Sequence, residues 1–81
     1  MRVYQEEIYS ALCRKGDWIG DKTSVTTLSG ITKVVYYRTT IAVVNHIKKT
    51  AEFDNGGYNT ASTTSRINAV KMFCDDNHYT Y

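Results

Sequence analysis

Proline is absent from the 81 residues. The turn signals are instead Ser29-Gly30, Asn45-His46 and Asp54-Asn55-Gly56-Gly57. Long apolar runs are absent too. No stretch of about 18 apolar residues occurs, which argues against a membrane-spanning helix. The opening residues, Met1 to Glu7, carry acids and lack the apolar stretch of a signal peptide, so an intracellular location is expected. Cysteine is scarce. Cys13 and Cys74 form no Cys-x-x-Cys, so neither a zinc site nor a thioredoxin-like motif is signalled. In an intracellular chain the pair reads as two reduced thiols. Charge of one sign is also missing. With 10 basic and 8 acidic residues the net charge is +2. A dedicated duplex-DNA binder draws most of its affinity from phosphate contacts and is usually more basic. A DNA mimic would be strongly acidic. Neither description fits.

A chain of this length has room for one domain, residues 1–81, burying about 60% of the surface its unfolded form exposes. An apolar content of 42% suffices for one core shared between a sheet and one or two helices. A deep catalytic site would consume much of that core, so the expectation is a binding module and not an enzyme.

The first element reads as a helix over about 3–14. Tyr4, Ile8 and Leu12 recur at four-residue spacing with Ala11 alongside. Glu6 and Glu7 near its start and Arg14 and Lys15 at its end suit the helix dipole, and Gly16 offers a left-handed cap. Asp17 to Asp21 reads as a loop. Its Trp18 is expected to plug the edge of the core, with an exposed binding anchor as the alternative.

From Thr23 to Thr60 the pattern is β. Thr23 to Leu28 is a threonine-rich strand, and as an unpaired edge it could join a second copy. Ile31 to Arg38 alternates, with Val34 and Tyr36 on one face and Val35 and Tyr37 on the other. Thr39 to Asn45 follows, with Ile41 and Val43 on one face. Arg38-Thr39-Thr40 is either a turn or a kink. Lys48 to Phe53 is a further strand. Asn55-Gly56 favours the positive backbone angles of a tight hairpin, folding the chain back through Tyr58 to Thr60. Ser62 to Ser65 offers helix caps. Ile67, Val70, Phe73 and Cys74 then mark an amphipathic helix over about 63–75, stopped by Asp75-Asp76-Asn77. His78 to Tyr81 has strand composition. The fold expected is α+β: an antiparallel sheet of four to five short strands packed against two helices.

Few groups converge for catalysis. His46 and His78 both sit beside turns, where a histidine is usually solvated. Cys74 lies on an apolar helix face, where a thiol behaves as a small hydrophobe. Adjacent Asp75 and Asp76 do not face one another on a helix, and no calcium-loop spacing follows them. Gly56-Gly57 lacks the lysine and hydroxyl of a phosphate loop. No cofactor and no metal are expected. Two clusters are better candidates for binding. Tyr36, Tyr37 and Tyr58 on strands, with Arg38, Lys48 and Lys49 nearby, could stack single-stranded bases; such tyrosines are also ordinary cross-strand stabilisers. Arg66, read into the first turn of the second helix, breaks the dipole rule. A salt bridge to Asp54 or Glu52 would explain it, as would an anion held at that helix start.

The run Glu52-Phe53-Asp54-Asn55-Gly56-Gly57-Tyr58-Asn59-Thr60, with Ser62-Thr63 and Arg66-Ile67-Asn68 after it, resembles a family of short uncharacterised phage-encoded proteins. The shared pattern is a strand, a Gly-Gly-aromatic turn, a threonine, a Thr-Thr pair, then arginine and asparagine opening a helix; Ser62 stands for the first threonine of that pair. Val34 to Val43 and Tyr79-Thr80-Tyr81 look like that family's upstream and closing strands. Tyr58 stands where tryptophan is frequent, and Thr64 where a lysine is common. The resemblance implies a protein of the host bacterial cytoplasm. It would bind a bacterial host protein or ribonucleoprotein complex, as an anti-CRISPR-like steric inhibitor of a defence system. Nucleic acid is the alternative partner, no membrane is implied, and the state is monomer or homodimer. The candidate binding residues are Tyr36, Tyr37, Arg38, Lys48, Lys49, Tyr58, Arg66 and Asn68.

Overall fold

The computed structural model describes residues 3–20, 22–54 and 60–81. Helix α1 (Val3–Arg14) buries Ile8, Ala11 and Leu12 completely, the stripe its periodicity demands. It ends one residue earlier than the glycine suggests. Lys15, not Gly16, takes the left-handed conformation (φ 51°), and the Gly16 N–H closes on the Ala11 carbonyl at 3.0 Å. A left-handed lysine costs about 1 kcal/mol or more, offset by a cation placed at a helix C-terminus. Gly16 instead makes room for the Arg14 side chain, whose Nη2 donates to the Asp17 carbonyl at 3.0 Å.

Among the described residues five strands form one antiparallel sheet in sequence order: β1 (Trp18–Gly20), β2 (Thr23–Leu28), β3 (Ile31–Tyr36), β4 (Thr39–Asn45) and β5 (Thr50–Phe53). Three expectations need correcting here. The segment read as a loop at Trp18 is a strand, because its tryptophan packs against the core and draws the backbone beside β2. Gly20 is required there, since a Cβ would run into the Trp18 ring. Thr23–Leu28 is an edge over only half its length: Thr23, Ser24 and Val25 pair with β1, whereas Thr26, Thr27 and Leu28 pair with β3 alone, the Thr27 amide donating to Asp17 Oδ1 at 2.9 Å. Ile41 and Val43 do not share a face. The register slips between Val34 and Val35, which pair with Ala42 and Thr40 and leave Ile41 unpaired between them. This bulge sends Ile41 and Ala42 together into the core and turns Val43 outward.

The turns follow local chemistry. Ser29 and Gly30 both take positive φ (54° and 79°), the two-residue connection that matches strand twist. Arg38 belongs to a turn with Tyr37, so the chain folds back there and does not merely kink. At the β4–β5 connection Asn45 Oδ1 accepts from the Ile47 and Lys48 amides, both at 3.0 Å. The Asn55-Gly56 turn and the return through Tyr58 and Asn59 lie outside the described residues.

Helix α2 (Ala61–Asn77) is longer at both ends than the pattern indicates. Its cap is Thr60, whose Oγ1 accepts from the Thr63 amide at 3.3 Å. Asp75 and Asp76 lie inside its last turns instead of stopping it. Each carboxylate is held by a phenol, Asp76 by Tyr9 and Asp75 by Tyr81, which relieves the unfavourable dipole. His78 (φ 61°) reverses the chain, and the Tyr79 amide closes on the Cys74 carbonyl at 2.8 Å. The expected closing strand is reduced to one parallel bridge between Thr80 and Thr50.

Both helices lie on one face of the sheet. Gln5 Nε2 donates to the Ser65 carbonyl at 3.0 Å, and Tyr9 donates to Asp76, so α1 and α2 also hold each other. The core between the layers is Ile8, Leu12, Val25, Val34, Ile41, Val44, Val70 and Phe73 with smaller residues between them. The opposite sheet face has no covering element among the described residues. No described helix is long and apolar enough to cross a membrane.

Candidate functional site

The β3–β4 turn presents the strongest of the sequence candidates. Strand alternation alone puts Tyr36 and Tyr37 on opposite faces. The turn overrides it: Tyr37 takes positive φ (59°), uncommon for a bulky residue. The two rings meet edge-on with centroids 4.6 Å apart. The Tyr37 amide donates to the Lys22 carbonyl at 2.7 Å, and Lys22 Nζ lies 5.4 Å from the Tyr37 ring centroid. The strained tip is therefore held by a neighbouring backbone and a cation. Tyr37 is 51% exposed, and Arg38 beside it is exposed as well.

Tyr36 points inward. Its ring lies under the Arg66 guanidinium, whose carbon is 4.4 Å from the centroid. Arg66 is only 8% exposed. Its Nε donates to Thr23 Oγ1 at 2.8 Å and its Nη1 to the Ser62 carbonyl at 3.0 Å. With the helix starting at Ala61, Arg66 falls in its second turn, where it ties α2 to β2 and β3. A cleft of about 440 Å³ opens between Tyr36, Tyr37, Thr60 and Ser62.

The remaining candidates are elsewhere. Lys48 and Lys49 sit at the β4–β5 turn, at the other end of β4 from Tyr37 and Arg38. Seven strand residues at about 3.4 Å each separate the two ends by roughly 20 Å. Asn68 is exposed on α2. Tyr58 lies outside the described residues. The structure thus brings together Tyr36, Tyr37, Arg38 and Arg66, and leaves Lys48, Lys49 and Asn68 apart from them.

A second polar cluster escapes sequence reading. His46, expected as a solvated turn residue, is buried. Its Nε2 is 2.6 Å from Thr32 Oγ1, and its Nδ1 is 2.9 Å from the Tyr79 hydroxyl. Thr32 Oγ1 is 2.7 Å from Thr27 Oγ1, and Thr27 donates to the Gly16 carbonyl at 3.5 Å. If every hydroxyl donates down this chain, Tyr79 gives its proton to Nδ1 and Nε2–H gives to Thr32, which assigns a neutral imidazole. Burial first, and the Lys15 charge second, push the His46 pKa below its ordinary 6.5, in keeping with a neutral ring. Burial likewise raises the Tyr79 phenol. Half of the cluster was legible: Thr27 and Thr32 face each other across the Ser29-Gly30 turn, a pairing the hairpin dictates. Tyr79 was not, because it arrives from the far end of the chain.

Cys74 is not poised as a nucleophile. Cys74 is fully buried, and burial pushes its thiol up to about 11, so it is uncharged at neutral pH. Cys13 is exposed. Among the described residues no group of three or more His, Cys, Asp or Glu side chains is placed to hold a metal ion.

Fold and site define a small two-layer α+β protein with an exposed aromatic-cationic tip. The chain belongs to the Kyanoviridae Gp96 protein family, a phage family whose model matches residues 1–81. No curated protein and no solved structure matches it.

Proposed function

We propose that this phage protein binds a bacterial host protein complex in the host cytoplasm and blocks it sterically, a CRISPR effector or similar defence system being the specific case. The observation that carries the reading is the Tyr37–Arg38 tip: an exposed aromatic held at a turn with positive φ, with the exposed Arg38 beside it. Tyrosine and arginine are enriched among residues that dominate protein interfaces. A backbone held in an uncommon conformation is often kept for function. Pre-ordering also removes much of the entropy cost of docking. The phage family supplies the setting, a bacterial host.

Single-stranded nucleic acid fits less well. Stacking on a sheet needs exposed rings with cations along one groove. Here the Tyr36 ring is occupied by Arg66, and Lys48 and Lys49 are at the far end of the sheet. Titration with single-stranded DNA and RNA at low salt, where phosphate affinity is greatest, is expected to show no binding.

The test is capture from host lysate with the intact chain and with a Tyr37→Ala/Arg38→Ala variant. The intact chain is expected to retain a stoichiometric protein partner and the variant to lose it. Retention of no partner, together with no protection of phage from any defence system on expression, would end this reading.

A further inference from the structure

Residues 79–81 are fastened at three points, one of which is a buried histidine. The Tyr79 hydroxyl meets His46 Nδ1 at 2.9 Å. Thr80 bridges to β5: the Ala51 amide donates to the Thr80 carbonyl and the Thr80 amide to the Lys49 carbonyl, both at 2.8 Å. The Tyr81 hydroxyl donates to Asp75 Oδ1 at 3.0 Å. We infer that His46 is a proton-operated latch for this segment: as a neutral ring it holds residues 79–81 on β5, and on protonation it releases them.

The direction of the hydrogen-bond chain carries the inference. The Gly16 carbonyl can only accept, so Thr27 donates to it. Thr27 then accepts from Thr32, and Thr32 from the Nε2–H of His46. The lone pair left on the ring is at Nδ1, and Tyr79 must donate to it. A second ring proton replaces that lone pair with a donor. Two donors then face each other, and the phenol must turn its proton away or leave, which costs a hydrogen bond. No counter-charge is bonded to the ring, since both nitrogens are taken by hydroxyls. From α1 the facing charge is Lys15, a cation that opposes a second proton. From α2 come the Phe73 ring and, next to it in sequence, the buried Cys74 thiol. β2 and β3 present the hydroxyls of Thr27 and Thr32. The histidine's own turn carries Lys48 and Lys49, and the exposed His78 precedes Tyr79. The nearby carboxylates are engaged elsewhere: Asp75 by Tyr81, Asp76 by Tyr9, and Asp17 by the Thr27 amide. His46 therefore takes a proton less readily in place than in water, and the closed state is favoured above pH 6.5 and gives way as pH falls below it. Opening is local, because the ladder from β1 to β5 is complete without residues 79–81. It bares the Ala51 amide and the Lys49 carbonyl on the outer edge of β5, and one side of the Phe73 ring.

Amide hydrogen exchange of the intact chain from about pH 7 to about pH 5, corrected for the intrinsic rate at each pH, tests the latch. In the wild type, protection of the Ala51 and Thr80 amides is expected to fall by up to about tenfold per pH unit below the ordinary histidine value, while amides within β3 and β4 keep theirs. His46→Gln, which takes up no proton, is expected to remove this dependence, and His78→Gln to keep it. In Tyr79→Phe the same two amides are expected to exchange several-fold faster already at neutral pH, with His46 titrating nearer 6.5 by NMR. The latch is overturned if Ala51 and Thr80 follow the β3 and β4 amides at every pH. It is overturned equally if His46→Gln keeps the dependence, if His78→Gln abolishes it, or if Tyr79→Phe leaves the His46 titration where it was.

Discussion

The two faces of the sheet are built from the same strands and do different work. On one face Val25, Val34, Ala42 and Ala51 meet α1 and α2 and are buried. On the other, Thr26, Lys33, Val43 and Glu52 alternate with them and meet no described element. A side chain's neighbour in sequence therefore tells little about its cost of removal; its parity in the strand tells nearly everything. Burial is concentrated on the covered side.

Substitutions can break or sharpen that contrast. The largest effect is expected at Phe73, which contacts the rings of Tyr9, His46 and Tyr79 at centroid distances of 6.0, 6.0 and 5.1 Å. Phe73→Ala should cost about 3–5 kcal/mol in urea unfolding; a loss under about 1 kcal/mol would mean the covered face is not the seat of stability. Gly20→Ala should cost less, about 1–3 kcal/mol, by forcing the Trp18 ring aside. A shift in the emission of the sole tryptophan reports that movement directly. Smaller again is the titration of His46. Its folded pKa lies below the ordinary 6.5, so the unfolded chain binds the proton more readily. Stability from this residue is full above pH 6.5 and is lost as pH falls through the folded value. His46→Gln should flatten that part of the stability–pH curve, and an unchanged curve would remove His46 as its source. The smallest effect belongs to the open face: Leu28→Ser should shift the monomer's stability by no more than about 0.5 kcal/mol. A larger loss would show that this face is covered after all.

What the sequence made legible was whatever is written in local periodicity. The α1 stripe of Ile8, Ala11 and Leu12 and the α2 set of Val70, Phe73 and Cys74 are buried as spacing requires. The Ser29-Gly30 turn and the α+β class follow from equally local signals. What stayed hidden depends on distant partners. Nothing near Thr23–Leu28 announces that Trp18–Gly20 will flank its first half, so a partly covered strand looked like a free edge. The bulge at Ile41 is set by the pairing of β3 with β4, and it shifts parity for the residues around it. The tip was half legible. Tyr37 and Arg38 stood out as an aromatic-cationic pair, but alternation put Tyr36 on the wrong side of its neighbour. Only the positive φ at Tyr37 brings the rings together. Lys48 and Lys49 looked close because they are close in composition, and a seven-residue strand keeps them away.

The helical layer is made from the first and last long elements of the chain, locked together by Gln5 with Ser65 and Tyr9 with Asp76. During synthesis the strands can pair as soon as they leave the ribosome, since each bonds its sequence neighbour. Their apolar side must then wait for α2, which follows β5. Until it arrives the nascent sheet has only half a lid. A chain cut short before Ala61 would be paired but open, an easy substrate for proteases, so closure of this core depends on a helix that comes after every strand it covers.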